Sequence, residues 1–319
     1  MWSLRYRSGV SDPVDLLVLG DANPDLILTG DVEPAFGQAE RLVDEARLTV
    51  GGSGAITACA AAGLGLRVGL CAVVGDDPFG RYVREELERR GVDIGGLLVD
   101  TDVPTGTTVV LARPDDRAIL THAGAIDALT AERVDRRLLA GARHVHVSSF
   151  FLQGRLRPSL PALLEGVRAR GGTTSLDPNW DPSERWDGGL LETLSRIDVF
   201  LPNATEATRI AGVDELKEAV SALAGLAGTV VVKNGPGAAV AAQGERRERA
   251  SAPTVETVDT TGAGDAFDAG FLASWLAGDE LDRALAIANA CGALSTRALG
   301  GVDAHPTMDQ VLEALKLYR

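Results

Sequence analysis

The stretch Val258-Asp-Thr-Thr-Gly-Ala-Gly-Asp-Ala-Phe-Asp-Ala-Gly-Phe-Leu272 runs from a polar, glycine-punctuated turn into an apolar segment that continues to about Leu276. The pattern predicts a helix opened by Gly262 and Gly264, whose first amides point outward with no side chain in front of them. Such a terminus carries partial positive charge and suits an anion. Asp265 falls in the first turn of that helix. Beside a bound anion it is a second negative charge, and the two repel unless a cation or a proton in transfer lies between them. A carboxylate so placed is able to accept the proton of an attacking hydroxyl. The same residues also allow a plainer reading: Asp259 caps a turn and Asp265 complements the helix dipole, worth about 0.3 to 1 kcal/mol.

Outward from this stretch, short apolar runs alternate with segments of helical period. The runs Leu16 to Leu19, Val68 to Val74, Ala142 to Val147, Thr173 to Leu176, Val199 to Leu201 and Thr229 to Val232 read as buried strands. Helices are expected at Phe79 to Arg90, stopped by Gly91, and at Ala131 to Leu139 behind Thr130 as N-cap. The alternation predicts an α/β fold, a doubly wound and mainly parallel sheet flanked by helices. Two stretches, about 26–50 and 97–123, hold strand-like pieces with no helical pattern between them, and are expected to form a small antiparallel β lid over the strand ends. Residues 14–319 are expected to form one domain.

A chain of 319 residues with 45% hydrophobic side chains is long enough to bury a large core, which excludes a miniprotein and a disordered tail. Forty-five acidic against thirty-one basic residues give a net charge of −14, the wrong sign for a nucleic-acid or anionic-membrane partner. Cys59, Cys71 and Cys291 are odd in number and set in apolar company, so they read as buried small residues in a reducing compartment. The first dozen residues lack the apolar run of a secretory signal, and no eighteen apolar residues run together; a cytoplasmic location is expected. Aromatics make up only 4% of a chain with 37 glycines, so the core is expected to be closely apposed small aliphatics.

DTTGAGDAFDAGFL resembles the carboxyl-terminal signature of the ribokinase-like (PfkB) carbohydrate kinase family. The likeness extends to Gly51-Gly-Ser-Gly-Ala-Ile-Thr-Ala-Cys-Ala-Ala-Ala-Gly-Leu-Gly65, to Val74-Gly-Asp-Asp-Pro-Phe-Gly80 and to Gly20-Asp-Ala-Asn-Pro-Asp25. It covers the chain from about Val14 to Val302. The resemblance implies an ATP-dependent kinase acting on a hydroxyl of a small sugar or sugar acid. It makes Asp265 the general base and the amides of Gly262, Ala263 and Gly264 an anion hole for the transferred phosphoryl group. Asn23, Asp25, Gly51, Gly52 and Ser53 match acceptor-binding positions. Asp259 and the backbone of Thr261 match the site of a monovalent cation, usually potassium, beside the anion hole.

Asn203 and Glu206 match an N-x-x-E motif that organises magnesium through water, although Asn followed three residues later by Glu is equally a capping box. The resemblance places Lys233 and Gly235 in the segment beneath the nucleotide and Asn289 on its adenine side. Lys233, one of three lysines, reads either as a phosphate contact or as a solvated charge at a strand end. Asp177 and Asn179 read as pocket lining or as a proline-rich turn. His144 and His146, alternating on a strand, are expected to face opposite sides. Three positions depart from the family pattern: Ser53 for lysine and Ile56 for asparagine, both expected at the sugar pocket, and Asp268 for asparagine. Ser148, Ser149 and Phe150 are expected to offer the sugar hydroxyls and an aromatic face. An exposed edge and apolar face of the lid suggest a homodimer.

Rival readings are weaker. Gly52-Ser-Gly54 lacks the third glycine of a dinucleotide fingerprint, Thr57 standing in its place, and no G-x-x-x-x-G-K-[ST] occurs. A nucleoside kinase of the same family and a catalytically silent sugar sensor remain as alternatives.

Overall fold

The computed structural model describes residues 13–113 and 116–317. Its strands, in chain order, are β1 (Leu16–Leu19), β2 (Asn23–Thr29), β3 (Glu45–Gly51), β4 (Val68–Gly75), β5 (Leu97–Asp100), β6 (Thr107–Ala112), β7 (Arg117–His122), β8 (His144–Val147), β9 (Thr173–Leu176), β10 (Val199–Phe200), β11 (Thr229–Val232), β12 (Ala239–Gln243) and β13 (Arg246–Ala250). Nine of them form one sheet in the order β13-β12-β11-β10-β9-β8-β1-β4-β5. Pairing is parallel from β11 through to β5, while β12 and β13 are added antiparallel.

β1 occupies the middle of the sheet because its sequence, LLVL, is apolar toward both faces. Leu17 and Leu19 pack into one core and Leu16 and Val18 into the other, as the two-residue period of a strand requires. From β1 the chain goes to β4 on one side and later returns to β8 on the other, so the winding reverses between β1 and β8. Ligands of doubly wound sheets sit beyond the carboxyl ends of the strands at such a switch. Asp21, Ser148, Ser149 and Asp177 stand there, just after β1, β8 and β9. The helix Ala263–Leu276 is apolar all round because it is itself sandwiched: a Cβ on Gly270 would lie 2.6 Å from Cys291 Sγ in the helix Leu281–Ser295. The expected small-residue packing is realised at this contact.

The lid is a four-stranded sheet ordered β3-β2-β6-β7. Two antiparallel pairs, β2 with β3 and β6 with β7, are joined by a parallel contact between β2 and β6. Adjacent rungs have opposite chemistry. Thr49, Asp25, Thr108 and Thr121 stand in register, and the next rung is Leu48, Leu26, Val109 and Leu120. Successive residues of a strand point to opposite faces. The polar rung therefore turns toward the cleft, where Asp25 is buried, and the apolar rung turns out, where Leu120 is 61% exposed.

Several expectations need correction. Leu97–Asp100 is β5, parallel edge partner of β4, because Leu97 buries against the main core; the second lid piece starts at Thr107. The helix expected over 131–139 is Arg136–Gly141, since Asp135 rather than Thr130 caps it, accepting from the amides of Arg137 (2.7 Å) and Leu138 (3.2 Å). His144 and His146 share a face, as residues two apart on a strand must, and both bond Ser175 Oγ, at 2.7 and 2.8 Å. Burial lowers the two imidazoles to about 3 and about 4, so they are neutral core groups. The three cysteines are free and buried. The first twelve residues, read above as carrying no secretory signal, lie outside the described residues. Among the described residues no helix is long and apolar enough to cross a membrane.

Candidate active site

Gly262 caps the helix Ala263–Leu276 in the left-handed region, with φ 73°. A side chain there would be doubly obstructed, its Cβ 2.8 Å from Gly301 O and 2.9 Å from Ile56 Cγ2, so glycine is required by conformation and by space. The Ala263 N–H turns back onto the Thr260 carbonyl at 3.3 Å. The remaining first-turn amides have no intrahelical acceptor. Asp265 follows in that turn, partly open to the cleft, and its Oδ1 accepts a hydrogen bond from Ser53 Oγ. Ser148 Oγ donates to Ser53 Oγ at 2.7 Å, forming a chain of hydroxyls that ends on the carboxylate. Burial pushes Asp265 up to about 8, reinforced by the negative charge of Asp177 and opposed by the Ser53 bond and Lys233. Ser53 thus serves Asp265, and Ile56 packs behind Gly262 and Gly301. Both stand beside the start of the helix Ala263–Leu276.

On the acceptor side, Asn23 and Gly51 face each other across β2 and β3. Asn23 Nδ2 donates to Asp25 Oδ1 at 3.0 Å. A Cβ on Gly51 would fall onto the Asp25 carboxylate, and one on Gly52 would meet Asn23 Oδ1 at 2.8 Å. These four expected residues therefore come together in one place. Burial, aided by the charge of Asp21, raises Asp25 to about 7. Asp21 itself was given no role by the sequence reading, although it ends β1 within the Gly20–Asp25 motif. Its Oδ1 accepts from Gly54 N–H (3.0 Å) and Ser149 Oγ (2.9 Å), and Asn179 Nδ2 donates to Ser149 Oγ at 3.2 Å. Ser149 and Asn179 both take positive φ, 54° and 56°, a strained backbone of the kind found at sites. Phe150 offers no aromatic face to a ligand, being fully buried against Phe151.

On the opposite side of the helix terminus, Lys233, Gly235, Ala263, Gly264, Phe267 and Asn289 line a cavity of about 560 Å³. Asn289 donates from Nδ2 to the Ala250 carbonyl at 2.9 Å. Lys233 is neither solvated nor free for a phosphate. Its Nζ, in a buried position, lies 2.8 Å from Asp177 Oδ2 and 2.9 Å from Asp268 Oδ2. Burial would lower its pKa, but these two carboxylates overcome that and raise it. Burial raises Asp268, whereas Lys233 holds Asp177 low against the same burial. Asp268, the departure from asparagine, offers both of its oxygens to the Lys233 ammonium. The signal available in the sequence was a scarce lysine at the end of an apolar strand.

Asn203 and Glu206 form a complete capping box on the helix Ala204–Ala211. Asn203 N–H donates to Glu206 Oε2 at 2.8 Å and Asn203 Nδ2 to Oε1 at 2.6 Å, so neither carboxylate oxygen stays free as expected. Burial and the charge of Asp177 raise Glu206 to about 7.

The family model for pfkB family carbohydrate kinases matches residues 14–308. The chain belongs to the PfkB family of carbohydrate kinases. It is 35% identical over 301 residues to an ATP-dependent ribose-1-phosphate kinase of Halopiger xanaduensis, covering 93% of this chain and 97% of that one. A fructokinase of Klebsiella pneumoniae is 32% identical, covering 93% and 98%. Among solved structures, a protein assigned as ribokinase II from E. coli, with ATP and Mg2+, superposes with TM-score 0.85 at 26% identity over 95% of this chain and 99% of that one. Arabidopsis thaliana ribokinase complexed with ribose and ATP gives TM-score 0.81 at 25% identity, covering 95% and 99%. This PfkB protein is an ATP-dependent carbohydrate kinase, a phosphotransferase with an alcohol group as acceptor, on the ribokinase-like fold.

Two cation expectations can be set against the donor atoms. Magnesium through water fits Glu206, since each of its oxygens accepts one bond from Asn203 and keeps a lone pair. At the potassium site expected on Asp259 and the backbone of Thr261, a cation of the protein itself already stands. Asp259 Oδ1 accepts from Thr261 N–H (2.9 Å) and Thr261 Oγ1 (2.8 Å), Oδ2 accepts from Gly300 N–H (2.9 Å), and a guanidinium, that of Arg117, already lies 3.8 Å from Oδ1.

Proposed function

We propose that this PfkB kinase transfers the γ-phosphoryl group of ATP to a hydroxyl of a small sugar or sugar acid, with Asp265 as general base. The observation that carries the reading is the position of Asp265. It sits in the first turn of the helix Ala263–Leu276, bonded to Ser53 directly after the Gly51–Gly52 turn, next to Gly264, which lines the Lys233–Asn289 cavity. Ser53 occupies Oδ1, which leaves the second oxygen for the acceptor's proton. A carboxyl raised toward neutrality is a better proton acceptor than an ordinary aspartate while remaining substantially ionised near its own pKa. As the hydroxyl attacks, the amides of Gly262 and Gly264 stabilise the charge spreading over the phosphoryl oxygens. Asn23 and Asp25 orient the acceptor, and the cavity lined by Gly235 and Asn289 takes the nucleotide. Magnesium, with Glu206 reached through water, would supply charge neutralisation on the phosphates.

The test is ADP release on a panel that includes ribose, fructose, ribose 1-phosphate, a keto-deoxy sugar acid and nucleosides. Turnover is expected on a sugar or sugar acid, and Asp265→Asn should lower kcat by about 10² to 10⁴-fold, the usual worth of a general base, with ATP affinity little changed. Near-normal turnover by that variant would remove the base assignment. The outward rung Leu48, Leu26, Val109 and Leu120 supports a homodimer formed through the lid: Leu48 and Leu120 are 41% and 61% exposed, an apolar face that a second copy would cover. Light scattering should give the dimer mass for the native chain and the monomer mass for Leu120→Glu; a native monomer at micromolar concentration would end that part of the proposal.

A further inference from the structure

Arg117 opens the last lid strand, β7, and its side chain crosses to the turn that precedes the helix Ala263–Leu276. Nη1 donates to Thr261 Oγ1 at 2.9 Å and lies 3.8 Å from Asp259 Oδ1. The Thr261 hydroxyl in turn donates to Asp259 Oδ1, so one oxygen relays the guanidinium to the carboxylate. With the Thr261 and Gly300 amides, the Asp259 charge is compensated from within the chain. Arg117 and Asp259 also border a cavity of about 910 Å³ between the end of the lid and the loop before the helix. The contact is therefore a bridge between the lid and the floor of the cleft.

We propose that Arg117 takes the place of the monovalent cation in this chain, making phosphoryl transfer independent of potassium. The inference rests on reading Gly262–Gly264 as the anion hole. A cation at Asp259 has two effects: it neutralises the carboxylate, and it fixes the turn that aims the next amides. A guanidinium does both. It keeps its charge at any accessible pH and holds hydrogen bonds in a fixed plane. A second positive charge at the same carboxylate would be repelled by the guanidinium and would bind more weakly for it. Potassium is thus opposed by the charge already standing beside Asp259. The arrangement differs from an ion in one respect: the charge is attached to the lid, so Arg117 is a positioning residue that acts on the anion hole only when the lid lies over the cleft.

The experiment measures two things for the native chain, Arg117→Gln and Arg117→Lys, in potassium, sodium and choline chloride at equal ionic strength. One is the melting temperature without acceptor, which reads ion binding directly; the other is the rate with the best acceptor. The native chain should be indifferent to the choice of salt in both. Arg117→Gln should lose at least tenfold in rate, recover much of it in potassium but not in sodium or choline, and melt higher in potassium. Arg117→Lys should remain indifferent to potassium. A native chain that potassium accelerates several-fold or stabilises over sodium overturns the proposal, as does an Arg117→Gln variant that gains no potassium response in either measurement. If no acceptor is phosphorylated at all, the kinase chemistry falls, while the melting temperatures still decide whether Arg117 excludes the ion.

Discussion

Replacing Lys233 by methionine isolates the buried charge cluster beside the first turn of the helix Ala263–Leu276. Methionine keeps the length and apolar stem of the side chain but removes the ammonium, which lies 2.8 Å from Asp177 and 2.9 Å from Asp268. Two carboxyl groups then share a site that is almost completely buried, their side chains 6% and 0% exposed. Breaking a buried pair from one side costs about 3 to 5 kcal/mol, because the partner charge is left uncompensated. The loss should fall at the low end of that range, since Asp268, already raised by burial, is the group that takes up a proton. Urea unfolding at pH 7 measures it. Asp268→Asn is the control: it substitutes an amide for the carboxyl that burial drives toward its neutral form, leaves the Lys233–Asp177 pair intact, and should cost less than about 1 kcal/mol. The sign with pH follows. The carboxyls of Lys233→Met have folded pKa values raised above their unfolded values, so their penalty is present above the unfolded values and fades as pH falls. The deficit against the native chain should therefore shrink on acidification. A Lys233→Met chain within 1 kcal/mol of native, or an Asp268→Asn chain as unstable as Lys233→Met, would refute the charge assignment.

The pH profile of kcat/KM should rise with pH through an apparent pKa near 8, because burial raises Asp265 to about 8 in the free enzyme and only the ionised form accepts a proton. Ser53→Ala removes the bond that lowers Asp265, so the rising limb should move to higher pH; a limb that stays in place or moves down would show that Ser53 does not act on the base. Gly262→Ala puts a Cβ 2.8 Å from Gly301 O at φ 73°, and should lower kcat by 10²-fold or more, the usual cost of one lost oxyanion donor, while calorimetry shows acceptor affinity within about threefold of native.

The fold was legible wherever one element served one purpose. β1 is apolar on both faces because it is central, and its four residues alone say so. The Gly262–Asp265 turn was equally readable, since few structures other than an anion-binding helix terminus call for two glycines there. Elements that answer to distant partners were harder. LLVD at Leu97–Asp100 has the same local pattern as a lid strand, and only the free edge of β4 decides where it pairs. Asp135 displaces Thr130 as helix cap because it lies next to Arg136 and accepts from two amides. The error at His144 and His146 was of a different kind: the two-residue period of a strand places them together, without any structure.

Ser53, Ile56 and Asp268 illustrate what a motif comparison leaves out. All three depart from the family pattern, and two were assigned to the sugar pocket by their place in the chain. In space they surround the amino terminus of one helix: Ser53 bonds Asp265, Ile56 packs behind Gly262, and Asp268 anchors Lys233 one turn below. On the proposed mechanism their differences bear on how the base and the anion hole are held. The same proposal gives acceptor choice to Asn23 and the rung Thr49, Asp25, Thr108 and Thr121, with Asp21 and Asn179. Exchanging Thr108 for valine tests that division. It removes a hydroxyl that accepts from Asn23 Nδ2 at 3.4 Å and bonds Thr121 Oγ1 at 3.2 Å, and should raise KM for the acceptor several-fold with kcat and the pH limb near 8 unchanged. Ser53→Ala should do the reverse, moving the limb while leaving acceptor KM close to native. If Thr108→Val moved the limb, or Ser53→Ala altered acceptor preference across the panel, the two functions would not be separable along the cleft.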